Sequence, residues 1–84
     1  MNLDRDLKAY VLRALKAAEG NPLLDDELKA SVRNAFPRVA FTAEQLNKLT
    51  LGLQSAGLIA QVQDAVYGTM WHLTVKGTAA AQRL

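Results

Sequence analysis

"LQSAGLIAQV", residues 53–62, is the stretch on which the fold turns. Its first residues finish an amphipathic helix, and its last residues alternate as a strand does. Gly57 sits at the change. A residue without Cβ takes the left-handed conformation that closes a helix C-terminus, so Gly57 is expected to stop the helix. Leu58 and Ile59 are then expected to fill the space beneath the reversal.

The helix that ends there has a readable start. "FTAEQL" places Thr42 at the N-cap and Gln45 three residues on, the spacing of a capping box. Phe41 just outside and Leu46 inside have the spacing of a hydrophobic staple. Leu46, Leu49, Leu53 and Ala56 form the expected buried stripe of this third helix. Gly52 interrupts it, at a cost of up to about 1 kcal/mol relative to Ala. It is read as a place for close helix contact.

Two helices are expected before it. The first runs from Leu3 to Ala18, with Leu3, Leu7, Tyr10, Val11, Ala14 and Ala18 on one face at about 100° per residue and Leu15 widening it. Leu12 falls roughly opposite the centre of that stripe, near Arg5, Lys8 and Lys16, and is expected on the polar side. Gly20-Asn21-Pro22 ends the helix. The second runs from Asp25 to Phe36 and buries Leu24, Leu28, Val32 and Ala35. Asp25-Asp26-Glu27 suits the positive end of its dipole. Adjacent residues diverge on a helix, so this run is read as a cap and not as a catalytic acid pair. Pro37 ends the element.

After Gly57 the period changes to two. Ala60 and Val62 alternate with Gln61 and Gln63; Trp71 and Leu73 alternate with Met70 and His72. "DAVYG" at 64–68 between them reads as a hairpin loop. Leu23-Leu24 is expected to add a short third strand. Thr74 is the expected N-cap of a short last helix, which Gly77 weakens and Ala79 to Ala81 favour. The fold class is therefore α+β, mainly α: a three-helix core, a β-hairpin and a short C-terminal helix, in one domain spanning 1–84.

This order of elements resembles winged-helix (winged helix-turn-helix) domains. Residues 53–77 look like the passage from recognition helix to wing in MarR-like and ArsR-like bacterial regulators. There the third helix ends in a Leu-x-x-x-Gly-Leu-Ile-like motif, and Leu-Thr-x-x-Gly follows the wing. Here the matching residues are Leu53, Gly57, Leu58 and Ile59, then Leu73, Thr74 and Gly77. The resemblance covers about residues 23–84. It implies duplex DNA as partner, with the third helix in the major groove and the wing on the backbone or minor groove.

The residues themselves support two functions. Gln45, Asn47 and Lys48 on the outward face of the third helix are candidate donors to bases or phosphates. Arg33 and Arg38 are candidate phosphate contacts flanking its N-terminus. Against this, Leu49 to Val75 contains no Lys or Arg and includes Asp64, so the wing brings no positive charge to a phosphate backbone. Leu51, Val66, Tyr67 and Leu12 are candidate contacts for a protein partner, the alternative function. The resemblance further implies a homodimer through the first and last helices, to which Leu12, Leu15 and Leu84 would contribute. Trp71 is expected in the core beside Leu73, and His72 on the exposed strand face.

Composition bounds the rest. The net charge is +2, half the residues are apolar and 21% are charged, an ordinary globular balance. There is no cysteine, which excludes a thiolate metal site and fits a cytoplasmic location. One His without Cys does not make a usual zinc site, so no metal and no cofactor are expected. Ser31 and Ser55 have no base in view, and no Gly-rich phosphate loop is present, so the chain is not expected to be an enzyme. No apolar run reaches the roughly 20 residues of a membrane helix. The N-terminus does not read as a signal peptide.

Overall fold

The computed structural model describes residues 2–84. Its elements are α1 (Leu3–Ala17), β1 (Leu23–Leu24), α2 (Asp25–Ala35), α3 (Ala43–Ser55), β2 (Ile59–Asp64), β3 (Gly68–Leu73) and α4 (Val75–Gln82). The described residues form an α+β fold, with four helices and one antiparallel sheet of order β1-β3-β2. Among the described residues, no helix is long and apolar enough to cross a membrane.

Helices α1, α3 and α4 each start on a side-chain cap, at Asn2, Thr42 and Thr74, whereas α2 starts at Leu24 without one. The Asn2 side chain accepts from the Arg5 N–H at α1. At α3 both halves of the capping box form: Thr42 Oγ1 accepts from the Gln45 N–H at 3.1 Å, and Gln45 Oε1 accepts from the Thr42 N–H at 2.9 Å. Phe41 and Leu46 both join the core, as a staple requires. The end of α3 is a Schellman turn. Gly57 has φ +77°, its N–H donates to Gln54 O, and the Leu58 N–H reaches back to Leu53 O at 3.0 Å.

The core is one cluster: Val11, Leu12, Leu15, Leu28, Val32, Leu46, Leu49, Leu53, Ile59, Trp71 and Ala81. Leu12 corrects an expectation, since it is only 5% exposed. The cause is tertiary. Helix α1 is covered on more than one side, because α4 packs along it as well as α2, α3 and β3. On the α2 side, the Tyr10 hydroxyl is hydrogen-bonded to Ser31, and its ring meets Phe36 edge-on at 5.8 Å. Leu12 and Leu15 are thus consumed inside the chain; of the leucines assigned to a dimer contact, Leu84 alone is exposed. At the helix margins Ala35 and Ala56 are exposed, and Thr50 is buried with its hydroxyl on the Asn47 carbonyl at 3.0 Å.

Strand register follows from the Gly57 reversal, which delivers Ile59 into the core at 1% exposure. Ile59 pairs with Leu73, Gln61 with Trp71 and Gln63 with Thr69; Leu23 pairs with Trp71 from the other side. These residues share the inner face. With a period of two, Ala60 and Val62 must then face outward, opposite His72 and Met70. His72 is half-buried rather than exposed, and its Nδ1 lies 3.0 Å from Leu73 O.

Two helical glycines differ sharply. Gly77 is buried against the Leu58–Ile59 peptide: a Cβ there would lie 1.8 Å from Leu58 O. Gly52 makes no close helix contact, contrary to expectation; a Cβ there would have nothing within 4 Å. It borders a groove of about 340 Å³ between α1 and α3, lined by Leu3, Leu7, Val39, Phe41, Leu46 and Leu49. Gly52→Ala should therefore stabilise the domain by up to about 1 kcal/mol, through helix propensity alone. Urea denaturation checks this; a lower midpoint would show that the backbone at Gly52 needs its freedom.

Candidate nucleic-acid interface

The interface is built around the first half of α3, which the capping box fixes in direction. Arg33, in the last turn of α2, donates from its guanidinium to Phe41 O at 2.8 Å. That carbonyl immediately precedes the α3 N-cap, so Arg33 lies beside the helix N-terminus as expected. Arg38 is exposed in the connection between α2 and α3. Among the described residues, neither arginine has a carboxylate within ion-pair distance.

Gln45, Asn47 and Lys48 are all exposed on α3. Each already has a partner. Gln45 spends Oε1 on the cap and keeps its amide N–H groups free to donate. Lys48 lies 3.6 Å from Glu44 in a solvent-exposed i,i+4 pair, worth little and easily exchanged for a phosphate. Asn47 Oδ1 accepts from the Lys29 ammonium, which also holds Asp25 Oδ2 at 2.8 Å. The other Asp25 oxygen accepts from Trp71 Nε1–H at 2.8 Å.

This last chain of contacts was not expected. The sequence assigns Asp25 to the helix dipole and does not single out Lys29. Together they join β3, α2 and α3 through Trp71, Asp25, Lys29 and Asn47, and they orient Asn47 with its Nδ2 outward-donating capacity intact. The Asp25–Lys29 half was readable as an i,i+4 pair. Nothing in the spacing connects either residue to Trp71, which lies 46 positions away from Asp25.

The tip of the β2–β3 hairpin is chemically different. Val66 is 82% exposed and Tyr67 69% exposed, and Leu51 on α3 is 53% exposed. All three remain available to a partner, whereas Leu12 does not. Tyr67 shares a shallow depression with Leu24, Asp25 and Asp26 at the start of α2. Asp64, the one charged residue of the β2–β3 hairpin, is a turn former: its Oδ1 accepts from the Val66 N–H at 2.7 Å and the Tyr67 N–H at 2.9 Å. The Tyr67 and then the Val66 hydrogen bond favour the ionised form and hold this carboxyl below its ordinary value of 3.8. Among the described residues, no three His, Asp or Glu side chains come together as a metal site would need.

No protein-family model, curated protein or solved structure matches the chain.

Proposed function

We propose that the chain is a winged-helix protein that binds duplex DNA, with α3 in the major groove and Arg33 and Arg38 on the flanking phosphates. The order of helices and the small antiparallel sheet are compatible with that architecture. The observation that carries the reading is Arg33 beside the α3 N-terminus and Arg38 exposed in the connection that leads to it, neither with a carboxylate within ion-pair distance among the described residues. Phosphate contacts supply most non-specific affinity, and a helix N-terminus favours an anion. Gln45, Asn47 and Lys48 then present donors to base edges or backbone.

Binding of a labelled mixed-sequence duplex, followed by anisotropy against salt, tests it. Each phosphate contact contributes about 0.9 to the slope of log affinity against log salt, so the Arg33→Ala/Arg38→Ala variant should flatten that slope by about 2 units. An unchanged slope, or no binding to the native chain at low salt, overturns the reading.

A protein-binding function is the second reading, favoured by one observation: the wing carries no cation and exposes Val66 and Tyr67 at its tip. It expects Leu51→Asp and Tyr67→Ala each to lose a pull-down partner while the unfolding transition stays in place. Retention of every partner by both variants counts against it.

A further inference from the structure

We infer that the free edge of β2 pairs with the β2 edge of a second copy of this chain, antiparallel about a two-fold axis at Val62. β2 is the terminal strand of the sheet. The direction of its backbone groups is fixed by one bond: the Thr74 N–H donates to Leu58 O at 3.1 Å. Hydrogen-bonded positions alternate along an antiparallel pair, so Ala60, Val62 and Asp64 turn their N–H and C=O groups towards β3. Ile59, Gln61 and Gln63 turn theirs away. Ile59 is buried, which closes that end of the edge; Gln61 and Gln63 are exposed. Among the described residues, the outward backbone groups of these two glutamines have no backbone partner.

Natural edge strands are blunted by charge, proline or a bulge. Residues 59–63 contain no charge and no proline, and their register with β3 is continuous. The occupant follows from the strand's own order. Gln61-Val62-Gln63 reads the same in both directions, so a two-fold axis at Val62 sets Gln61 of one copy against Gln63 of the other. The two glutamines, whose backbone groups face the free edge, then exchange both of their backbone bonds. Val62 meets its own symmetry mate as a non-hydrogen-bonded pair, the geometry in which side chains come closest. Val62 is 37% exposed on the outer face, next to Met70, with Leu24 beyond it in the same row. Asp64 falls opposite Ala60 of the other copy, so no like charges oppose one another. An unrelated extended peptide would make the same main-chain bonds without the valine contact or the paired glutamine amides.

The inference is independent of the DNA reading, and its test contains no nucleic acid. Sedimentation equilibrium of the full chain, from micromolar to millimolar protein, should show a monomer–dimer equilibrium. Amide exchange at Gln61 and Gln63 should slow as protein concentration rises, while other exposed amides do not change. Val62→Lys should weaken association about tenfold or more, because two ammonium groups then meet across the axis. Gln61→Pro removes a donor that faces away from β3, so it should abolish association and leave the β2–β3 ladder, and the circular dichroism spectrum, in place. A chain that stays monomeric throughout, a dimer that survives both substitutions, or concentration-independent exchange at Gln61 and Gln63 each overturns the proposal.

Discussion

Gly77→Ala should lower the thermal midpoint by about 12 °C or more, the equivalent of roughly 3 kcal/mol for a domain of this size. Helix propensity argues for the opposite sign, because Ala is favoured over Gly by about 1 kcal/mol inside a helix. Geometry decides between them. The new Cβ would lie 1.8 Å from Leu58 O and 2.8 Å from Leu58 C. Both are backbone atoms and cannot swing aside as a side-chain tip can. Leu58 O is also held by the Thr74 N–H, and the Thr74 hydroxyl bonds to the Gly57 and Leu58 carbonyls and caps the Gly77 N–H. Separating α4 from this peptide breaks those bonds together. Gly52→Ala is the matched control, since the same change in open space should raise stability. A midpoint for Gly77→Ala at or above that of the native chain would refute the close approach of α4 to the α3 exit.

Leu12→Ala should cost about 2–5 kcal/mol, the range for truncating a leucine inside a packed core. Small domains are stable by only about 5–15 kcal/mol, so this is a large share. Leu51→Ala, at 53% exposure, should stay within about 0.5 kcal/mol. Urea denaturation of the two variants side by side measures the difference. Equal, small effects would return Leu12 to the surface. The expected gap separates two leucines that look alike in the sequence, each an apolar residue on an otherwise polar helical face.

The Gly77 and Leu12 cases share an explanation. Both are set by packing between distant elements: Gly77 of α4 lies against the Leu58 carbonyl, and Leu12 lies on α1, along which α4, α2, α3 and β3 all pack. The Leu-Thr-x-x-Gly segment that resembles bacterial regulators is here a mechanical joint: Thr74 and Gly77 grip the peptide that follows Gly57. Lys76 adds to it by donating to Ala56 O at 2.8 Å. Its spacing is therefore explained by folding alone, and it carries no information about what the domain binds.

Local chemistry by itself determined the elements. The capping box at Thr42 and Gln45, the glycine stop at Gly57, the threonine start at Thr74 and the change of period after residue 57 each involve residues within a few positions of one another. Short-range hydrogen bonds and sterics are sufficient to set them. Leu28, Val32, Leu46, Leu49, Leu53 and Trp71 also belonged to the core on pattern alone, because each lies on the one apolar stripe of its element. The candidate site was legible only as a set of exposed donors on α3 with Arg33 and Arg38 nearby. Tertiary structure decided the rest: that α1 is enclosed on several sides and buries Leu12, that Trp71, Asp25, Lys29 and Asn47 form one polar chain, and that β2 ends the sheet with the backbone groups of Gln61 and Gln63 turned to its free edge. Those facts depend on contacts between residues far apart in the chain. Such contacts arise only when whole faces are brought together, and a pattern within one element does not encode which second face will cover it.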